Sequence, residues 1–197
     1  MMQEKKSEEK ILSGKDFLTP RPKTAREREA ALRRLTEEEK RRARCCVTGP
    51  EEGELQRPVD DLKVDLENEI VKAISCGYTT FIIGMTPGIE LWAGCIVLRL
   101  RDRFPDLRLI AALPHPGFRA HARQTGWAEP YTRVIGAADF VQTISPDPLP
   151  ESDRLRNRWM VDHSSKLIAV WDWRPSDTGD TVRYARKQGL KLQYIRA

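Results

Sequence analysis

Residues 79–94 read TTFIIGMTPGIELWAG, a strand, a turn and a helix start in immediate succession. Thr79, Thr80, Phe81, Ile82 and Ile83 make a β-branched and aromatic run of the kind that forms a buried strand. Gly84-Met85-Thr86-Pro87-Gly88 turns the chain, and an apolar helical pattern begins at Ile89. This order aims backbone N–H groups and the positive end of a helix dipole at one point, where a phosphate can be held. The loop is neither GxGxxG nor a Walker A sequence, and a plain strand-to-helix turn accounts for it as well.

The same alternation continues on both sides. A strand is expected at 44–48 (RCCVT), ended by Gly49-Pro50, and a helix at 59–76, where Leu62, Leu66, Ile70 and Ile74 recur every four residues. The helix after the central turn is expected to run from Ile89 to Arg103, before Pro105. Further strands are expected at 107–113, 140–144, 167–171 and 191–195, and helices at 154–164 and 180–188. Residues 118–137 read as helical with interruptions at Gly126 and Pro130. Strands and helices alternating in this way predict an α/β fold, a Rossmann-like three-layer sandwich with a mainly parallel sheet of about six strands. Ligands of such sheets sit at the carboxyl ends of the strands where strand order reverses. The loops after the first, second and fifth strands are therefore the places to look.

Of the 197 residues, 1–44 carry 14 Lys/Arg against 9 Asp/Glu, and 45–197 carry 20 of each, so the first segment holds the whole net charge of +5. We therefore divide the chain into a charged extension, 1–43, and a folded domain, 44–197. Residues 1–23 are polar with proline and glycine breakers and read as lacking fixed structure; 24–44 read as a solvated helix. A nucleic-acid partner is not favoured, because the basic excess lies outside the folded part. No apolar run is long enough to span a membrane, and no signal sequence is read. Cys45 and Cys46, adjacent in a strand, should face opposite sides of the sheet. The absence of CxxC and the scatter of three histidines give a zinc site little support, so no metal is expected. Free buried thiols fit a reducing, cytoplasmic setting.

Candidate ligand residues follow from the loops. Thr48 and Gly49 offer a hydroxyl and a close backbone approach. Gly84, Met85 and Gly88 form the central loop. Glu90 either complements the helix dipole or contacts a ribose hydroxyl. Trp92, about 200° round the helix from Glu90, reads as core. Asn157 and Arg158 could cap, pair or bind, and His163 reads as a helix C-terminal residue. Thr178, Gly179, Asp180 and Thr181 stand at a helix start that could form a second phosphate cradle. No Ser/His/Asp order and no nucleophile elbow occurs.

The stretches CCVTG at 45–49, FIIGMTPGIELWAG at 81–94, LRLIAALPHPG at 107–117, NRWMVDHSSKLIAVWD at 157–172 and TGDTVRYA at 178–185 together resemble the YpsA-like family. That family belongs to the SLOG superfamily of Rossmann-like proteins, with DprA and the Lonely-guy phosphoribohydrolases. The resemblance covers residues 44–196. It implies binding of a nucleotide or an NAD- or ADP-ribose-related ligand, in a sensing or processing role linked to bacterial cell-division or stress physiology. No further cofactor is implied, and a homo-oligomer stays open.

The sequence also departs from the family pattern. Pro50-Glu51-Glu52 stands where a His-Arg-Pro is frequent, Met85 adds bulk to the first loop, and Asp177 adds charge to the second. The Pro-Gly-Gly-x-Gly-Thr-x-x-Glu motif of the phosphoribohydrolases is missing, so their catalytic glutamate has no counterpart. The expectation is a binding module without turnover. The alternatives are N-glycosidic hydrolysis with Glu90 as the acting carboxylate, then a DprA-like nucleic-acid binder.

Overall fold

The computed structural model describes residues 24–120 and 126–197. The disorder expected for 1–23 and the central part of the helical reading over 118–137 fall outside the described residues. The chain divides into two units between Arg34 and Leu35. In the first, α1 spans Ala25–Arg34, and Thr24 caps it: its Oγ1 accepts from Glu27 N–H at 3.1 Å while its own N–H donates to the Glu27 carboxylate at 2.9 Å. The remaining elements belong to the second unit, which begins nine residues before the expected boundary at 43/44.

That unit opens with α2 (Glu37–Arg42), started by a reciprocal capping box between Thr36 and Glu39. Then come β1 (Arg44–Thr48), α3 (Val59–Ser75), β2 (Thr80–Ile83), α4 (Ile89–Leu100) and β3 (Arg108–Leu113). They are followed by α5 (Ala128–Ala137), β4 (Phe140–Thr143), α6 (Ser152–Asp162), β5 (Lys166–Trp171), α7 (Asp177–Lys187) and β6 (Lys191–Arg196). The six strands form one parallel sheet in the order β4-β3-β2-β1-β5-β6. Strand order reverses between β1 and β5, each flanked on its other side by the strand nearest in its half.

Two apolar layers sandwich the sheet. On one face α3, α4 and α5 bury Leu62, Leu66, Ile70, Val97 and Val134 against Cys45, Phe81, Ile83 and Leu109. On the other, α6 and α7 bury Met160, Val161, Val182 and Ala185 against Cys46, Ile82 and Leu167. Cys45 and Cys46 thus face opposite layers, as strand alternation requires. Burial pushes the Cys45 thiol well up and the Cys46 thiol up to about 12. Trp92 is 9% exposed and belongs to the first layer. His163 caps α6, with its Nδ1 2.8 Å from Trp159 O.

Several element ends shift from expectation by one to three residues, and three departures in the helices stand out. α4 stops at Leu100, and turns carry the chain to Pro105. Pro130 does not interrupt α5 but is its third residue, where no intrahelical N–H bond is lost. α7 starts at Asp177, three residues early, because the Ser176 side chain accepts from Gly179 N–H and nucleates the first turn. Among the described residues no helix is long and apolar enough to cross a membrane.

Candidate functional site

A cleft of about 630 Å³ opens over the carboxyl ends of β1, β2 and β5, at the reversal of strand order. Thr48, Gly49, Glu90, Asn157 and Thr178, all expected at the site, line it. Its floor is a polar network around two buried side chains, Glu90 at 2% exposure and Arg156 at 4%. Glu90 Oε2 accepts the Thr86 backbone N–H at 3.0 Å and lies 3.9 Å from Arg156 Nη1; Glu90 Oε1 accepts the Thr48 hydroxyl at 3.5 Å. Arg156 donates through Nη1 to Gly84 O and, at 3.0 Å, to Thr86 Oγ1, and through Nε to Asn157 Oδ1 at 3.1 Å. Its Nη2 meets Asp153 at 3.3 Å, and its guanidinium carbon lies 5.8 Å from the Phe118 ring centre. A buried guanidinium needs this many acceptors, since each unmatched donor would carry its full desolvation cost.

The network gives the central loop a different job from the expected phosphate cradle. The N–H of Thr86 is taken by the chain's own carboxylate. Gly84 is glycine because a Cβ there would stand 2.6 Å from Glu90 Oε2 and 2.8 Å from Arg156 Nε. Gly88, at φ +101°, lets the loop pass the 50–52 backbone, where a Cβ would meet Glu52 N at 2.7 Å. Met85, with φ +68° and fully buried, sends its side chain into the core beside α4. Gly84, Met85 and Gly88 therefore support the floor without lining the cleft. Gly49 fits against Ile89, whose side chain leaves 2.7 Å for a Cβ.

The second expected loop is divided. Thr178 faces the cleft, and Gly179 lets α7 lie on the Trp171 ring, 3.1 Å from where a Cβ would be. Arg158, Asp180 and Thr181 line a separate groove of about 810 Å³ between α6 and α7, which Asn157 also borders. There Arg158 stacks over Tyr184 at 5.3 Å and Asp180 pairs with Arg183.

Arg156, Thr86, His115 and Phe118 also line the cleft and were not expected from the sequence. Arg156 had a signal: Ser152, Arg156 and Met160 are the buried row of α6, spaced by four, whereas Arg154 and Arg158 are exposed. His115 stands edge-on to Phe118, with ring centres 6.0 Å apart, and its buried Nδ1 has no hydrogen-bond partner among the described residues. Five carboxylates (Glu51, Glu54, Glu90, Asp153 and Asp177) line the cleft against one arginine. Such a lining accepts hydrogen bonds from hydroxyls and favours positive charge over bare phosphate.

The family model of the YspA SLOG family, YpsA, matches residues 46–195. A UPF0398 protein of Halalkalibacterium halodurans is 30% identical over 145 residues, covering 70% of this chain and 74% of that protein. A UPF0398 protein of Bacillus thuringiensis (strain Al Hakam) is 28% identical over 138 residues, covering 66% and 72%. Among solved structures, DNA processing protein A from Helicobacter pylori, described for its single-stranded DNA binding mode, superposes with a TM-score of 0.52 at 17% identity. It covers 82% of this chain and 68% of that one, a likeness of fold. With sequence motifs, strand order and family model in agreement, the chain belongs to the YpsA SLOG family.

Proposed function

We propose that this protein is a cytoplasmic binding module for a ribose-bearing ligand of the nucleotide or ADP-ribose class, held in the switch-point cleft and not turned over. The observation that carries the reading is an internally satisfied floor with one buried nitrogen, His115 Nδ1, that has no partner among the described residues. A ligand hydroxyl would satisfy that nitrogen once a turn of the imidazole brings it to the cleft, while the carboxylates on the rim accept from the ribose hydroxyls. A polyanionic strand is a poorer fit to a lining of five carboxylates.

Calorimetry and thermal melts with ADP-ribose, NAD and nucleoside monophosphates test the reading. Binding should stabilise the fold by about 2.7 kcal/mol at a ligand concentration a hundred times Kd. It should weaken in His115→Ala and Asn157→Ala. No stabilisation by any of the three, on folded protein, overturns it.

The acidity of the cleft favours one second reading, N-glycosidic hydrolysis. A carboxylate on the floor, Glu90, would stabilise the positive charge that develops at the anomeric carbon. Release of free base from nucleoside monophosphates, lost in a folded Glu90→Gln variant, is the outcome this reading requires.

A further inference from the structure

Beside the cleft stands an aromatic stack with no part in the network above. Trp171 and Trp173 lie 5.7 Å apart at 17°, and Tyr194 closes the group at 5.9 Å from Trp173. Trp173 is 56% exposed, so one face of its ring packs on Trp171 and the outer part meets solvent. It also has φ +66°, a conformation costly for a bulky aromatic residue and kept only where its surroundings enforce it. Here they do. Trp171 Nε1 donates to Arg174 O at 2.8 Å, Arg174 N–H donates to Asp172 Oδ1 at 2.9 Å, and Ser176 Oγ donates to Arg174 O at 3.3 Å. The loop is pinned on both sides of Trp173, and the pinning presents the indole outward.

The stack adjoins the cleft along the chain. Pro175 and Ser176 line the cleft, and Pro175 is two residues from Trp173, a span of at most about 7 Å between Cα atoms. Two arginines stand near the stack. Arg186 donates to the Tyr194 hydroxyl at 3.2 Å, and Arg196, exposed and in register with Trp171, is on the same sheet face. The one acid in this loop, Asp172, is engaged by Arg174.

We infer that Trp173 is the ring subsite of the proposed ligand: the planar base stacks on its outer face while the ribose occupies the acidic cleft. The inference rests on the cleft reading and adds the part of the ligand that the cleft does not hold. Base–aromatic stacking is tolerant of base identity, so the subsite selects for a ring and not for a particular base.

Calorimetry with ADP-ribose and with ribose 5-phosphate, which has no base, separates the two claims. ADP-ribose should bind wild type more tightly than ribose 5-phosphate. Trp173→Ala should weaken ADP-ribose about tenfold and leave ribose 5-phosphate unchanged, with Trp173→Phe recovering most of the loss. An ADP-ribose affinity unaffected by Trp173→Ala overturns the subsite while leaving the cleft reading intact. An equal loss for both ligands assigns Trp173 to loop positioning and also overturns it. Concentration-dependent self-association that disappears in Trp173→Ala, with ligand affinity unchanged, makes the ring a protein contact and overturns it too. If wild type binds neither ligand, the cleft reading falls and the subsite falls with it.

Discussion

Arg156 Nη1 lies 3.9 Å from Glu90 Oε2, with both side chains almost fully buried beneath the reversal of strand order. Neither charge could be kept there alone. Arg156→Met leaves Glu90 buried with only its hydrogen bonds from Thr86 and Thr48 and should cost about 3–5 kcal/mol. Glu90→Gln keeps an acceptor for Thr86 and leaves Asp153 on the guanidinium, so about 2–3 kcal/mol is expected. Urea unfolding of both single variants and the double variant should give a coupling of about 1–3 kcal/mol. Additive losses would show that the two groups do not act as a pair.

The tight fit of the loop predicts an order among glycine substitutions. Gly88→Ala combines a positive φ with a backbone contact at 2.7 Å and should destabilise by about 3 kcal/mol. Gly84→Ala displaces the ends of two side chains, for a cost of about 1–3 kcal/mol. Gly136, in α5, has open space around a Cβ, and Gly136→Ala should raise stability by up to about 1 kcal/mol. Thermal melts of the three variants test the order; a benign Gly88→Ala would contradict the loop geometry.

Folding holds the Cys45 and Cys46 thiols above their ordinary range, Cys46 up to about 12. The unfolded chain gives up these protons from about pH 8.5–9 while the folded chain retains them. Their contribution is therefore fully present below that pH and is lost as pH rises toward 12. Unfolding free energy should fall by about 1.4 kcal/mol per pH unit for Cys46 within this window, and Cys45 shifts it in the same direction. Cys46→Ala should flatten the slope measured in urea at pH 8–11. In native protein the exposed Cys76 should react with a disulfide reagent ahead of the half-buried Cys95, and Cys45 and Cys46 only on unfolding.

The left-handed backbone at Trp173 separates strain from stacking. Trp173→Ala loses the ring and keeps the unfavourable φ, whereas Trp173→Gly loses the ring and accommodates the φ. The glycine variant should be the more stable of the two by about 1 kcal/mol, with wild type above both. Identical melting curves for the two variants would show that the loop relaxes once the ring is gone.

Strands were legible because burial on both faces leaves unbroken apolar runs such as Phe81–Ile83 and Leu109–Leu113, whose identity depends on no neighbour. The start of α7 was less so, because Thr178-Gly179-Asp180 has the composition of a loop. Only the Ser176 hydroxyl reaching Gly179 N–H makes it a first turn. Five of the sixteen residues that line the cleft could be read from loop position alone: Thr48, Gly49, Glu90, Asn157 and Thr178. Arg156 was harder to read: three arginines alternate along Arg154–Arg158, and only the spacing of four that joins Ser152, Arg156 and Met160 in one buried row marks which of them turns inward. Met85 misled for the converse reason: a bulky residue in a glycine loop reads as loop surface, and a positive φ turns it into the core.

β1 and β5 meet across 120 residues of chain, from Cys46 to Lys166. A ribosome adding about 5–20 residues per second completes β1 to β4 well before β5 emerges. During that interval the edge of β1 that will receive β5 has no strand to pair with, and Glu90 has no Arg156. The cleft comes into being only when the last quarter of the chain docks. Its ligand, by binding the finished sheet alone, would act as a check on complete synthesis, favouring chains whose two halves have closed over those that stopped short.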